Sequence, residues 1–170
     1  LSVVGLAVLV AVTLALTGTF PGSALKDGSG VLEMGVRFVD TGSRVYFLSP
    51  TLTNLSTDEV CLRDISPGAT EPGLDFVGAH IFRTEDFDGA PPVAWGSREA
   101  EPELDPGRRE STPVAGACIA PGTSLTGFVM LEFAVTGPAR PLTTTDVRVS
   151  YSSGWLSQQQ TLRTAYTVRS

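Results

Sequence analysis

Twenty residues at the start of this chain, Leu1 to Phe20 (LSVVGLAVLVAVTLALTGTF), carry no charge, and the first charged side chain is Lys26. A helix rises about 1.5 Å per residue, so such a run spans roughly 30 Å, the thickness of a bilayer's hydrocarbon core. Its threonines and serine can hydrogen-bond back to the helix backbone and do not oppose insertion. Twenty apolar residues are also far too many for one buried strand. The expectation is therefore a transmembrane or signal helix over 1–20, a flexible tether of small and turn-forming residues over 21–30 (PGSALKDGSG), and a folded domain over 31–170. Gly22-Ser23-Ala24 after Phe20-Pro21 offers small residues of the kind read by a signal peptidase. The apolar run, however, exceeds the about 7–15 residues of a usual signal core, which favours a retained anchor over cleavage and secretion.

The rest of the chain must turn often. Among 170 residues there are 18 Gly and 12 Pro, which suits many short strands better than a few long helices. Net charge is −6, with Lys26 the only lysine and no basic run, so a phosphate backbone is repelled and nucleic acid is not an expected partner. An acidic domain poor in lysine, following an inserted segment, is placed outside the cytoplasmic membrane. The two cysteines, Cys61 and Cys118, are then expected to form a disulfide. Closing a loop of that size stabilises the fold by about 4 kcal/mol in the chain-entropy account.

Alternation supplies the strands. Leu32, Met34, Val36 and Phe38 alternate with polar or small residues over Val31–Val39. Further strands are expected at Arg44–Thr53, Glu59–Ile65, Asp75–Arg83, Val114–Ile119, Leu125–Val135, Asp146–Tyr151 and Gln160–Val168. In Asp75–Arg83 both faces are apolar, with Phe76, Gly78, His80 and Phe82 on one, which predicts a central strand. Thr84–Thr112 is polar apart from Pro92-Val93-Ala94-Trp95, and predicts a long exposed loop with at most a helical turn. Seven or eight strands with Gly/Pro turns argue for an immunoglobulin-like antiparallel β-sandwich.

The runs PGTSLTGFVMLEFAV and VRVSYSSG, with FLSPTLTNLSTDEV earlier, also resemble secreted or membrane-anchored bacterial immunoglobulin-like accessory domains. The resemblance covers most of residues 31–168. It is one of turns and alternation, so it implies an exported, non-enzymatic β-sandwich and transfers no functional residue.

Candidate chemistry is sparse. His80 with Cys61 or Cys118 would make a Cys–His pair of the sortase kind, and GAHIFRTEDF is loosely similar to that family's His region. Thr161-Leu162-Arg163-Thr164, however, is followed by Ala165 where the nucleophile belongs, and a methyl group cannot replace a thiolate. Glu85-Asp86-Phe87-Asp88-Gly89 offers carboxylates for Ca²⁺, but Thr84 and Trp95 stand where an EF-hand needs acids. Met34, Met130 and His80 could suggest a copper carrier, yet both methionines fit apolar strand patterns. Asn54-Leu55-Ser56 is a glycosylation sequon of a kind that arises by chance. No metal, cofactor or small-molecule substrate is therefore expected. The leading expectation is a cell-envelope binding or structural domain that meets another envelope protein. The loop residues Phe87, Trp95, Glu99, Glu101 and Glu103 are the candidate contact surface.

Overall fold

Period-two alternation builds almost everything in this chain. A computed structural model describes residues 19–26, 32–96 and 102–170, and it is all-β, with eleven strands in two sheets. The strands are β1 (Phe20–Pro21), β2 (Leu32–Val36), β3 (Arg44–Leu48), β4 (Val60–Thr70), β5 (Leu74–Phe82), β6 (Ala94–Trp95), β7 (Thr112–Pro113), β8 (Cys118–Ile119), β9 (Phe128–Val135), β10 (Leu142–Ser153) and β11 (Leu156–Val168). One sheet runs β1-β11-β10-β4-β8, with β2 also on β11; the other runs β6-β3-β9-β5-β7. Among the described residues no helix is long and apolar enough to cross a membrane. The apolar residues 1–18 lie outside the described residues.

The two sheets enclose one core. Val45 and Phe47 of β3 and Val129, Leu131, Phe133 and Val135 of β9 meet Leu62, Ile65, Val147, Val149, Tyr151, Leu162 and Tyr166 of the first sheet. Phe47 stacks on Tyr166 with ring centroids 5.0 Å apart, and the Tyr166 hydroxyl donates to the Leu48 carbonyl at 3.1 Å. That bond satisfies a phenol buried between the sheets, where an unpaired hydroxyl is costly.

Pairing is antiparallel except at one edge, where β1 and β2 both join β11 in parallel. The sequence 20–26, expected as a helix end and tether, lies along the sheet. Leu25 is buried, its N–H donates to Gln160 Oε1 at 3.1 Å, and the Gln160 amide returns a bond to the Leu25 carbonyl at 2.9 Å. Ala24 N–H donates to the Tyr151 hydroxyl at 3.1 Å. Small residues let this segment pass close to the sheet, so composition that reads as flexible here serves close packing.

Several strand limits and faces differ from expectation, each for a local reason. Phe38 takes a positive φ of 56°, which ends the alternation of β2, turns its ring to solvent and buries Val39 instead. β4 runs on through Pro67 and Gly68 in unbroken register with β10, Ala69 facing Thr145 and Pro67 facing Val147. Asp146, at a φ of 60°, comes so near Gly68 that a Cβ there would stand 2.9 Å from the Asp146 Cβ, so the close approach needs the glycine. β8 covers only Val60 and Cys61, so Pro67 sits where β4 is an edge, and its missing N–H costs no ladder bond. In β5, Val77 is an extra residue between Phe76 and Gly78 in the pairing with β9. The bulge rotates Phe76 inward against Phe133 and leaves His80 and Phe82 facing outward. β5 does lie between two strands, β9 and β7, as its two apolar faces predict.

Cys61 and Cys118 are bonded, as expected. They are directly paired residues of β4 and β8, so the bridge staples a two-residue edge strand to the sheet.

Candidate functional site

The outward face of the five-stranded sheet would be solvent-exposed if the sheet stood alone. Instead Tyr46 of β3, Phe82 of β5 and Met130 of β9 point out from it and are buried under the excursion that leaves β5 at Thr84. Phe87, at the end of a 3₁₀ turn over Thr84–Phe87, closes this second cluster. Its ring meets Phe82 and Phe128 edge-on, at centroid distances of 5.8 and 5.3 Å, and the Arg109 guanidinium lies 5.5 Å above it. Phe87 is 1% exposed, so it is the staple of the excursion and not a contact side chain on its surface. A lone aromatic in EDFDG reads as exposed because its polar neighbours are local, while the apolar surface that covers it comes from three strands.

Trp95 sits in the short edge strand β6, opposite Tyr46, with the two rings edge-on at 6.0 Å. It is half-buried and forms one wall of an open cleft that also includes Ser43, Arg44, Tyr46 and Asp105. Glu103 is exposed in a 3₁₀ turn over Pro102–Leu104, and Leu104 beside it packs on the Tyr46–Phe82–Phe87–Met130 cluster. Glu99 and Glu101 fall outside the described residues. Asp105 caps the next turn, accepting from Gly107 N–H at 2.9 Å and pairing with Arg108 at 3.3 Å. Arg109 donates to the Glu103 carbonyl. The excursion is therefore held by its own caps as well as by the aromatic cluster beneath it.

A polar centre lies in the same face, and the sequence pattern did not single it out. Glu132, the outward residue of β9 between Leu131 and Phe133, accepts from Arg44 at 2.9 Å and contacts His80 Nε2 at 3.1 Å. Tyr46, its register partner on β3, stands on the same face beside it. Burial, then the nearby Glu132 carboxylate, with Asp105 adding, push the Tyr46 phenol up to about 12. His80 reaches Glu132 by folding back over Gly78, where a Cβ would stand 3.2 Å from Nε2. Three adjacent strands thus place a cation, an imidazole and a phenol around one carboxylate. Its oxygens are engaged by those neighbours, which positions a charge and does not offer a free base. The readable signal was an acid in the outward register of an otherwise apolar strand.

The other candidates separate. His80 lies in β5 of one sheet and Cys61 and Cys118 in β4 and β8 of the other, with both sulfurs in the disulfide. Glu85 and Asp86 each pair with Arg83 at 3.2 Å. Met130 is the pairing partner of His80, whereas Met34 belongs to β2 in the other sheet. Among the described residues one group of potential metal donors lies close together, Glu59 with Cys61 and Cys118, and its sulfurs are bonded to each other. The sequon residue Asn54 is fully buried. Its amide donates to the Asp58 and Ile119 carbonyls at 2.8 and 2.9 Å, and its oxygen accepts from Ser56.

No protein-family model matches the chain, and no curated protein matches it. Among solved structures it is similar to the VesB protease of Vibrio cholerae, with a TM-score of 0.40 and 13% identity. The match covers 95% of this chain and 35% of that one, so the chain spans about a third of the protease's length.

Proposed function

We propose that this chain is a non-enzymatic, immunoglobulin-like domain of the cell envelope, held outside the cytoplasmic membrane by residues 1–20, which presents the excursion 84–111 to another envelope protein. The observation that carries the reading is the second aromatic cluster. Phe87, Phe82, Tyr46 and Met130, with Trp95 and Leu104 packed on them, hold the described parts of the excursion, 84–96 and 102–111, against an outer sheet face. Folding alone is served by a short turn between β5 and β7, whereas a long ordered insertion is the usual form of a binding loop. Trp95, half-exposed beside Arg44 and Asp105, supplies an aromatic anchor with charges of both signs at its rim. The bonded cysteines suit an oxidising compartment, and a bonded pair leaves neither thiol free for Cys–His chemistry.

The test is a photo-reactive amino acid placed at Glu103, on the excursion, and as a control at Arg163, exposed on β11. In the cells the protein comes from, position 103 is expected to give one discrete cross-linked species that Trp95→Ala diminishes. Cross-linking from 163 and not from 103, or from neither, would overturn the assignment of the excursion as the contact surface.

A further inference from the structure

The hairpin β10–β11 closes through a two-residue turn, Gly154–Trp155, with Ser153 paired to Leu156. Gly154 has a φ of 57°, the first-position glycine that such a turn requires. The turn makes no such demand on Trp155, yet a tryptophan stands there, 74% exposed and the most exposed of the large hydrophobic residues described. From Val149 to Leu162 there is no charged residue, and the tip is flanked by Ser152, Ser153, Ser157 and Gln158.

The chain's apolar run ends at this same hairpin. Phe20 pairs with Gln158, three residues from Trp155, or about 10 Å along a strand. Because β1 is parallel to β11, and β11 runs away from the tip, the chain enters the sheet from the Trp155 end. Phe20 is itself 36% exposed there. Resting on the membrane-anchored reading above, we infer that the Gly154–Trp155 tip seats in the headgroup layer of the bilayer that residues 1–20 enter, with Trp155 as an interfacial anchor that fixes the domain's orientation. An indole prefers that layer because its ring is apolar and its N–H still reaches polar partners. Serine and glutamine beside it lose little on meeting headgroups, whereas the acidic remainder of the surface is repelled by anionic lipid. Among the described residues, two charged groups of opposite sign stand beside the hairpin: Glu59, which precedes the Val60 paired to Ser153, and Arg63, whose guanidinium donates to Ser157 Oγ at 2.7 Å. They balance each other, so the contact requires no anionic lipid.

The full chain carrying Trp95→Phe, with Trp155 as its one tryptophan, is reconstituted into phosphatidylcholine vesicles. Flotation of the protein with the vesicles is measured first, then tryptophan emission with iodide in the water and with lipids brominated near the headgroup end of the acyl chains. Emission shifted to shorter wavelength, quenched by the bromolipid and protected from iodide, is the expected result. Should Trp95→Phe disturb folding, the difference between the unsubstituted chain and Trp155→Phe gives the same readout. Flotation with Trp155 open to iodide and untouched by bromolipid overturns the seating and leaves the anchor standing. Iodide protection that depends on protein concentration without bromolipid quenching assigns the tip to a second copy and also overturns it. Failure to float overturns both the anchor and the seating.

Discussion

Replacing Phe87 by Ala removes the ring that joins the excursion to the five-stranded sheet. The ring is buried, with Phe82 and Phe128 edge-on at 5.8 and 5.3 Å and Arg109 above it. Truncating a buried phenylalanine costs about 3–5 kcal/mol, and the edge-on ring contacts belong to that loss. For a domain of this size each kcal/mol lowers Tm by about 2–4 °C, which gives a fall of roughly 6–20 °C. The cluster is a satellite of the main core, so part of the loss is expected as local opening of 84–111, at less than the global unfolding energy. Thermal unfolding by circular dichroism reads the first part, and limited proteolysis followed by mass spectrometry reads the second. Glu103→Ala, at an exposed position in the same excursion, is expected to stay within about 0.5 kcal/mol. An unchanged Tm for Phe87→Ala together with no new cleavage between residues 84 and 111 would refute the stapled excursion.

Four further outcomes follow from the structure. The folded protein holds the Tyr46 proton more tightly than the unfolded chain, whose phenol titrates near 10.0, so its contribution to stability is complete below that pH and is lost as pH rises toward about 12. Glu132→Gln is expected to move the Tyr46 titration back toward, but not fully to, its ordinary value, because burial remains; an ultraviolet tyrosinate titration reads this, and no movement would place the whole effect in burial. Gly78→Ala is expected to push the imidazole off Glu132, read as altered His80 ring resonances, since the new methyl would stand 3.2 Å from Nε2. Asn54→Ala leaves the Ile119 carbonyl without the amide that satisfies it and is expected to cost about 1–3 kcal/mol by urea unfolding, with Ser56→Ala costing less.

What the sequence made legible was whatever depends on alternation within one segment. The inward residues Val129, Leu131, Phe133 and Val135 follow from period two alone, as does Met130 facing the other way. What it hid depends on residues far apart in the chain. The face of Phe76 turns on a bulge at Val77 that exists only in the pairing with β9. Pro67 and Gly68 read as a loop because their strand character comes from in-register pairing with β10, from the close approach of Asp146 and from an edge position. Residues 22–25 read as a tether because their small side chains gave no sign of the Tyr151 and Gln160 groups that hold them. The candidate surface divides in the same way: Trp95 and Glu103 stand at or near it, Phe87 lies beneath it, and Glu132 gathers partners from two other strands.

Placement outside the membrane underlies the whole account, and the state of Cys61 and Cys118 in the protein taken from its own cells tests it most directly. The chain is denatured in the presence of an alkylating reagent, before and after reduction, and its intact mass is measured. The account predicts a monomer in which neither cysteine is labelled until the disulfide is reduced. Two freely labelled cysteines without reduction would contradict it, removing the support for an oxidising compartment and returning the thiols to consideration as reactive groups.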